Sequence, residues 1–149
     1  MMKNPFSIAG IIFLIIFSAC KKEENEYGPE PQITFKSISP VNVEAYADSV
    51  VINIEYTDGD GDLGENVSGV ENAFITDLRT SLEYGLRIRQ LGPDNSNIII
   101  RGNLSLVIPA VGITSGSSSP ESATFEVRIR DRAGNFSNKV TTTAITVNP

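Results

Sequence analysis

The chain has 149 residues, with 18 acidic and 12 basic side chains, a formal charge of −6, no histidine and no tryptophan. An acidic chain without a basic patch has nothing with which to grip phosphates, so nucleic acid is not an expected partner. One cysteine, Cys20, rules out an internal disulfide, and the missing histidine removes the commonest general base.

The first element in chain order is a leader. Lys3 supplies a positive start, Phe6 to Phe17 is predominantly apolar, and Ser18-Ala19 forms a small-residue junction before Cys20. This is the layout of a secretory signal peptide. The apolar run is too short to cross a bilayer comfortably, since spanning takes about 20 residues. Phe17-Ser18-Ala19-Cys20 resembles the lipobox of bacterial lipoproteins, with Phe17 where Leu is usual. The resemblance implies that residues 1–19 are removed and that Cys20 carries a diacylglycerol and further acyl lipid. Each buried methylene contributes about 0.8 kcal/mol, so two or three chains make a lasting membrane anchor. Lys22-Glu23-Glu24 resembles the export signal of Bacteroidetes surface lipoproteins. It implies display on the outer face of the outer membrane, with the periplasmic face as the alternative.

Residues 20–31 combine the lipidated cysteine with a charged, proline-containing stretch that reads as a flexible tether. From residue 32 the pattern becomes that of strands. Ile33 and Phe35 alternate with Thr34 and Lys36, and Pro40 closes the segment. Val50, Ile52, Ile54 and Tyr56 form a half-buried strand. Ile75 to Arg79 is a short candidate, and Leu82, Tyr84, Leu86 and Ile88 alternate with outward Arg87 and Arg89. Ile98 to Ile100 and Leu104 to Ile108 flank Arg101-Gly102-Asn103, giving two strands with a turn or one strand with a bulge. Phe125, Val127 and Ile129 alternate with charged residues, and Val140 to Val147 closes the chain. No amphipathic helix is evident. About seven short strands joined by turn-rich loops predict an all-β domain over residues 32–149, a single antiparallel immunoglobulin-like β-sandwich.

Phe125 to Asn138 strengthens that reading. A strand ends in Asp131, turns through Ala133-Gly134-Asn135 and returns, and this resembles the last hairpin of bacterial Ig-like domains of the fibronectin-III sort. Gly134 and Asn135 are expected to supply the positive φ angles of a tight loop. The fold by itself implies little about function.

Thr57-Asp58-Gly59-Asp60-Gly61-Asp62-Leu63-Gly64 is the one constellation with evident chemistry. Three carboxylates at alternating positions repel unless water or a cation neutralises them, and Ca²⁺ takes about six to eight oxygens in flexible geometry. An EF-hand needs Gly at its sixth position and Glu at its twelfth. Counted from Asp58 these are Leu63 and Gly69, and counted from Asp60 they are Glu65 and Glu71, so neither register fits. In an Ig-like sandwich, however, the loop after the second strand and the loop of the last hairpin emerge at one end. Similarity to cadherin-like domains, which bind calcium at their ends, implies a Ca²⁺ site built from Asp58, Asp60, Asp62, Asp77, Asp131 and Asn135. The alternative is a solvated acidic turn.

Asp48-Ser49-Val50 resembles the O-glycosylation pattern of secreted Bacteroidetes proteins and marks Ser49. Arg87, Arg89, Arg128 and Arg130 read as a solvated sheet face paired to Glu83 and Glu126. No serine sits in a Gly-x-Ser-x-Gly elbow, and the carboxylates cluster in one loop rather than flanking a cleft, so catalysis is not expected. The reading is a lipid-anchored, non-catalytic binding or adhesion module for a glycan or an envelope protein. Tyr46, Phe74, Tyr84 and Phe136 are the candidates for its contact surface. The alternative is a structural spacer or accessory subunit of an outer-membrane complex.

Overall fold

A computed structural model of the chain describes residues 27–149 apart from 115 and 117, so Cys20, the leader and the export signal lie outside the described residues. The described body is all-β. Its ten strands are β1 (Gln32–Ser39), β2 (Asn42–Glu44), β3 (Val50–Asp58), β4 (Ala73–Asp77), β5 (Leu82–Leu86), β6 (Ile100–Ile108), β7 (Glu121–Ala123), β8 (Phe125–Ile129), β9 (Val140–Thr141) and β10 (Ile145–Asn148). They form three sheets, ordered β1-β3-β6, β5-β4-β8-β9 and β2-β10-β7. Among the described residues no helix is long and apolar enough to cross a membrane.

The alternation read from the sequence is carried by β3, where Val50, Ile52, Ile54 and Tyr56 are buried and their neighbours are more open. β8 repeats the pattern with Phe125, Val127 and Ile129, and β4 with Ala73 and Ile75. These inward rows meet in one hydrophobic cluster that also takes in Val43, Ala123 and Val147 from the third sheet. Burial on this scale contributes about 25 cal/mol per Å² of apolar surface removed from water. One core shared by several sheets is consistent with a β-sandwich.

Several expectations change in detail. The segment around Gly102 is one unbroken strand, because β6 pairs with β3 in continuous register from Val50↔Ile108 to Asp58↔Ile100. The irregularity lies instead in β1, between Phe35 and Ser37. The C-terminal run divides into β9 and β10, which join different sheets, so the strands outnumber the seven expected. The body is also not wholly antiparallel, since β10 runs parallel to β2. In the last hairpin only Gly134 has positive φ, at 96°. Asn135 serves the turn through its side chain. Ile88 lies beyond β5 yet is buried, its backbone clasped by the Asn72 amide at 2.6 and 3.1 Å.

Candidate cation site

Each of three core-facing rows ends in an aspartate. Two residues past Tyr56 on β3 comes Asp58, two past Ile129 on β8 comes Asp131, and two past Ile75 on β4 comes Asp77. The two-residue period of a strand therefore turns all three carboxylates inward, and they are 0%, 5% and 2% exposed. Strand direction then separates them. β4 runs antiparallel to β8, with Asp77 opposite Phe125 and Ala73 opposite Ile129. Asp77 thus lies at the start of β8 and Asp131 beyond its end, so the predicted convergence of Asp77 with the acidic loop does not occur. Asp77 belongs to the opposite pole, where Arg79 grips it with Nη2 at 2.6 Å and Nε at 3.1 Å.

Asp58, Asp60 and Asp62 do converge. One oxygen from each lies within 4.8 Å of the other two. A single Ca²⁺, with bonds of about 2.3–2.6 Å, bridges such a spacing. The loop reaches this shape through Gly61 and Gly64, whose φ angles are 76° and 90°. A Cβ at Gly61 would strike the Ile98 carbonyl and one at Gly64 the Arg89 carbonyl, so both positions need glycine. The acidic loop is thereby pressed against the segment running from Arg89 to Ile98.

The partners of these carboxylates are unequal. Asp58 Oδ2 accepts the Leu63 N–H at 2.8 Å, and Asp62 Oδ2 accepts the Ala133 N–H at 2.9 Å. The Oδ1 atoms of Asp58, Asp60 and Asp62 are all buried without a partner. None of the ion pairs among the described residues includes these three side chains. Arg132 stands nearby but is drawn to the Gly64 carbonyl at 2.8 Å and to Asp94 at 3.5 Å. Burial pushes the Asp58 carboxyl up from 3.8 to about 6, with Asp60, Asp62 and Asp131 adding to the rise and the Leu63 N–H opposing it. Burial likewise raises Asp62, helped by Asp131 and Asp60 and opposed by Ala133 N–H and Arg132. A buried polar atom left unpaired costs about 1–3 kcal/mol, and more when charged. A hard divalent cation removes that cost, and an all-oxygen donor set suits Ca²⁺.

Asp131 and Asn135 sit beside the trio without joining it. Both Asp131 oxygens are taken by Asn135, from its backbone N–H at 2.7 Å and its Nδ2 at 2.9 Å. Asp131 contributes negative charge to the site, and Asn135 holds it in place. The sequence reading missed the other wall. Asp60, Asp62 and Arg132 face Asp94, Ser96 and Asn97 across a cavity of about 630 Å³. Ser96 Oγ is buried and unpartnered there. The signal for it is the oxygen-rich run Asp94-Asn95-Ser96-Asn97. Ser49 is exposed in the turn between β2 and β3.

Comparison with protein-family models, with curated proteins and with solved structures returned no match.

Proposed function

We propose that this protein is a lipid-anchored, surface-displayed envelope protein whose Ig-like sandwich acts as a non-catalytic binding or adhesion module, with Ca²⁺ tying together one pole. The lipobox-like Phe17-Ser18-Ala19-Cys20 supports the anchor. The sheet orders β1-β3-β6 and β5-β4-β8-β9 support the Ig-like assignment, matching strands A-B-E and C′-C-F-G of a fibronectin-III-type Greek key. The cation is carried by one observation: Asp58 is fully buried, its Oδ1 has no partner, and two further carboxylates meet it within ligand distance.

Thermal melting of the full-length chain in detergent, with EDTA or with Ca²⁺, tests the ion. At about 100 times the dissociation constant, a ligand specific to the folded state adds roughly 2.7 kcal/mol. The midpoint is expected to rise with Ca²⁺, and no shift at millimolar Ca²⁺ removes the ion from the proposal. The anchor is tested separately by Cys20→Ser, which is expected to abolish palmitate incorporation and release the protein from membranes.

A further inference from the structure

The pole opposite the acidic loop holds a second cavity, of about 500 Å³, between the β4–β5 hairpin and the segment around Gly112. Its walls are largely apolar: Tyr46, Leu82 and Tyr84 all face it. Leu82 is 54% exposed and Tyr46 is 69% exposed.

Tyr46 is exposed yet firmly held. Its backbone N–H donates to the Val111 carbonyl at 2.9 Å, and its hydroxyl donates to the Ile113 carbonyl at 3.1 Å. Its ring lies close over Gly112, where an added Cβ would meet ring carbon Cε1 at 2.7 Å. Its φ is 62°, a left-handed conformation that costs a residue other than glycine about 1 kcal/mol or more. A strained backbone and two hydrogen bonds thus hold an aromatic face in water beside a cavity. Tyrosine fixed in this way offers wide amphipathic contact with little entropy left to lose.

The polar groups define what fits. Asp77 borders the cavity but is only 2% exposed, its Oδ1 accepting two N–H groups from Arg79 and its Oδ2 one, so it shapes the wall rather than reaching a ligand. Thr80 Oγ1 accepts from the Leu82 N–H, which leaves its O–H to donate. Thr114 Oγ1 donates to Glu121 and so retains its acceptor side. A donor on Thr80 and an acceptor on Thr114 flank an apolar wall, which suits hydroxyl groups because each can both give and accept. An ammonium group could use only the second lone pair of Thr80 and would leave its O–H to water. Asp77, Arg79 and Glu121 together carry one more negative than positive charge, which disfavours anions.

We infer that this cavity is a saccharide site taking an uncharged hexopyranose unit, its C–H face against Tyr46 and its hydroxyls on Thr80 and Thr114. The inference rests on the binding-module reading and is independent of the cation at the other pole.

The test is calorimetric titration of the full-length chain in detergent with neutral oligosaccharides of glucose, galactose and mannose, with sialylated and sulfated glycans in parallel. Tyr46→Asn removes the ring while tolerating the left-handed backbone. It is expected to weaken binding about tenfold or more, as loss of a central aromatic contact does. Leu82→Glu, at an exposed position, is expected to act in the same direction. Lys139→Gln, far from the cavity, is expected to leave affinity unchanged. Unaltered melting of the Tyr46→Asn variant assigns its loss to contact rather than unfolding. Saccharide binding that survives both Tyr46→Asn and Leu82→Glu overturns the site but leaves the binding-module reading standing. Preference for acidic glycans, or no binding of any neutral one, also overturns the site. If a stoichiometric envelope protein then co-purifies as a spacer's partner would, the binding-module reading falls as well.

Discussion

Asp58 and Asp77 occupy equivalent places at opposite poles, each ending a core-facing row and each nearly inaccessible to water. Their surroundings are opposite. Asp77 has Arg79 in a forked contact, and the same guanidinium reaches Glu121 at 2.9 Å and the Gly112 carbonyl at 3.0 Å. Asp58 has one backbone N–H and three neighbouring acids. Burying an ion is tolerable only when its charge and lone pairs are matched. The Asp77 pole meets that requirement from within the chain, whereas the Asp58 pole does not, and the proposed Ca²⁺ would meet it from outside. A pole complete in itself can present a rigid cavity, whereas a pole left uncompensated would respond to an ion supplied by its surroundings.

Arg79→Met breaks the contrast most severely. It leaves the buried Asp77 without its guanidinium, and removal of one partner from a buried pair costs about 3–5 kcal/mol. Urea unfolding should show this loss with and without Ca²⁺, because the damage is at the other pole. Asp58→Asn should act in the opposite sense. It removes a desolvated charge, so the Ca²⁺-free protein at pH 7 should gain stability, by up to about 3 kcal/mol from the rise in its carboxyl from 3.8 to about 6. The same variant should lose its midpoint shift with Ca²⁺. Destabilisation of the Ca²⁺-free variant would mean that the Asp58 charge is already compensated within the fold.

The pH response follows with its sign. Between pH 3.8 and about 6 the folded Asp58 binds more proton than the unfolded one, so its contribution to stability falls as pH rises through that window. Without Ca²⁺ the wild type should therefore gain on Asp58→Asn when acidified from pH 7 toward pH 4, by roughly 1 kcal/mol per pH unit across the window. Saturating Ca²⁺ should abolish the gain, since the ion and the proton compete for one carboxylate. Denaturant midpoints at several pH values, for both proteins, measure it. Asp60→Asn should have a smaller effect on folding than Asp58→Asn, because Asp60 is only partly buried. Its expected consequence is weaker Ca²⁺ binding by calorimetry.

Much of this was legible along the chain. Alternation over Val50 to Tyr56 and Phe125 to Ile129 marked two central strands, and the spacing of Asp58, Asp60 and Asp62 marked the loop that gathers oxygens. The same period-2 count, extended by one step, is what turns Asp58 and Asp131 inward. Alternation decides which way a side chain points because neighbouring residues of a strand must face opposite sides. It says nothing of which end of the body a strand points toward. That Asp77 leaves the acidic pole for Arg79, that Asn135 spends its amide on Asp131, and that Asp94 to Asn97 faces the carboxylates were decided by strand direction and loop packing. Such juxtapositions join residues far apart in the chain, and they exist only once the hydrophobic core has drawn the sheets together.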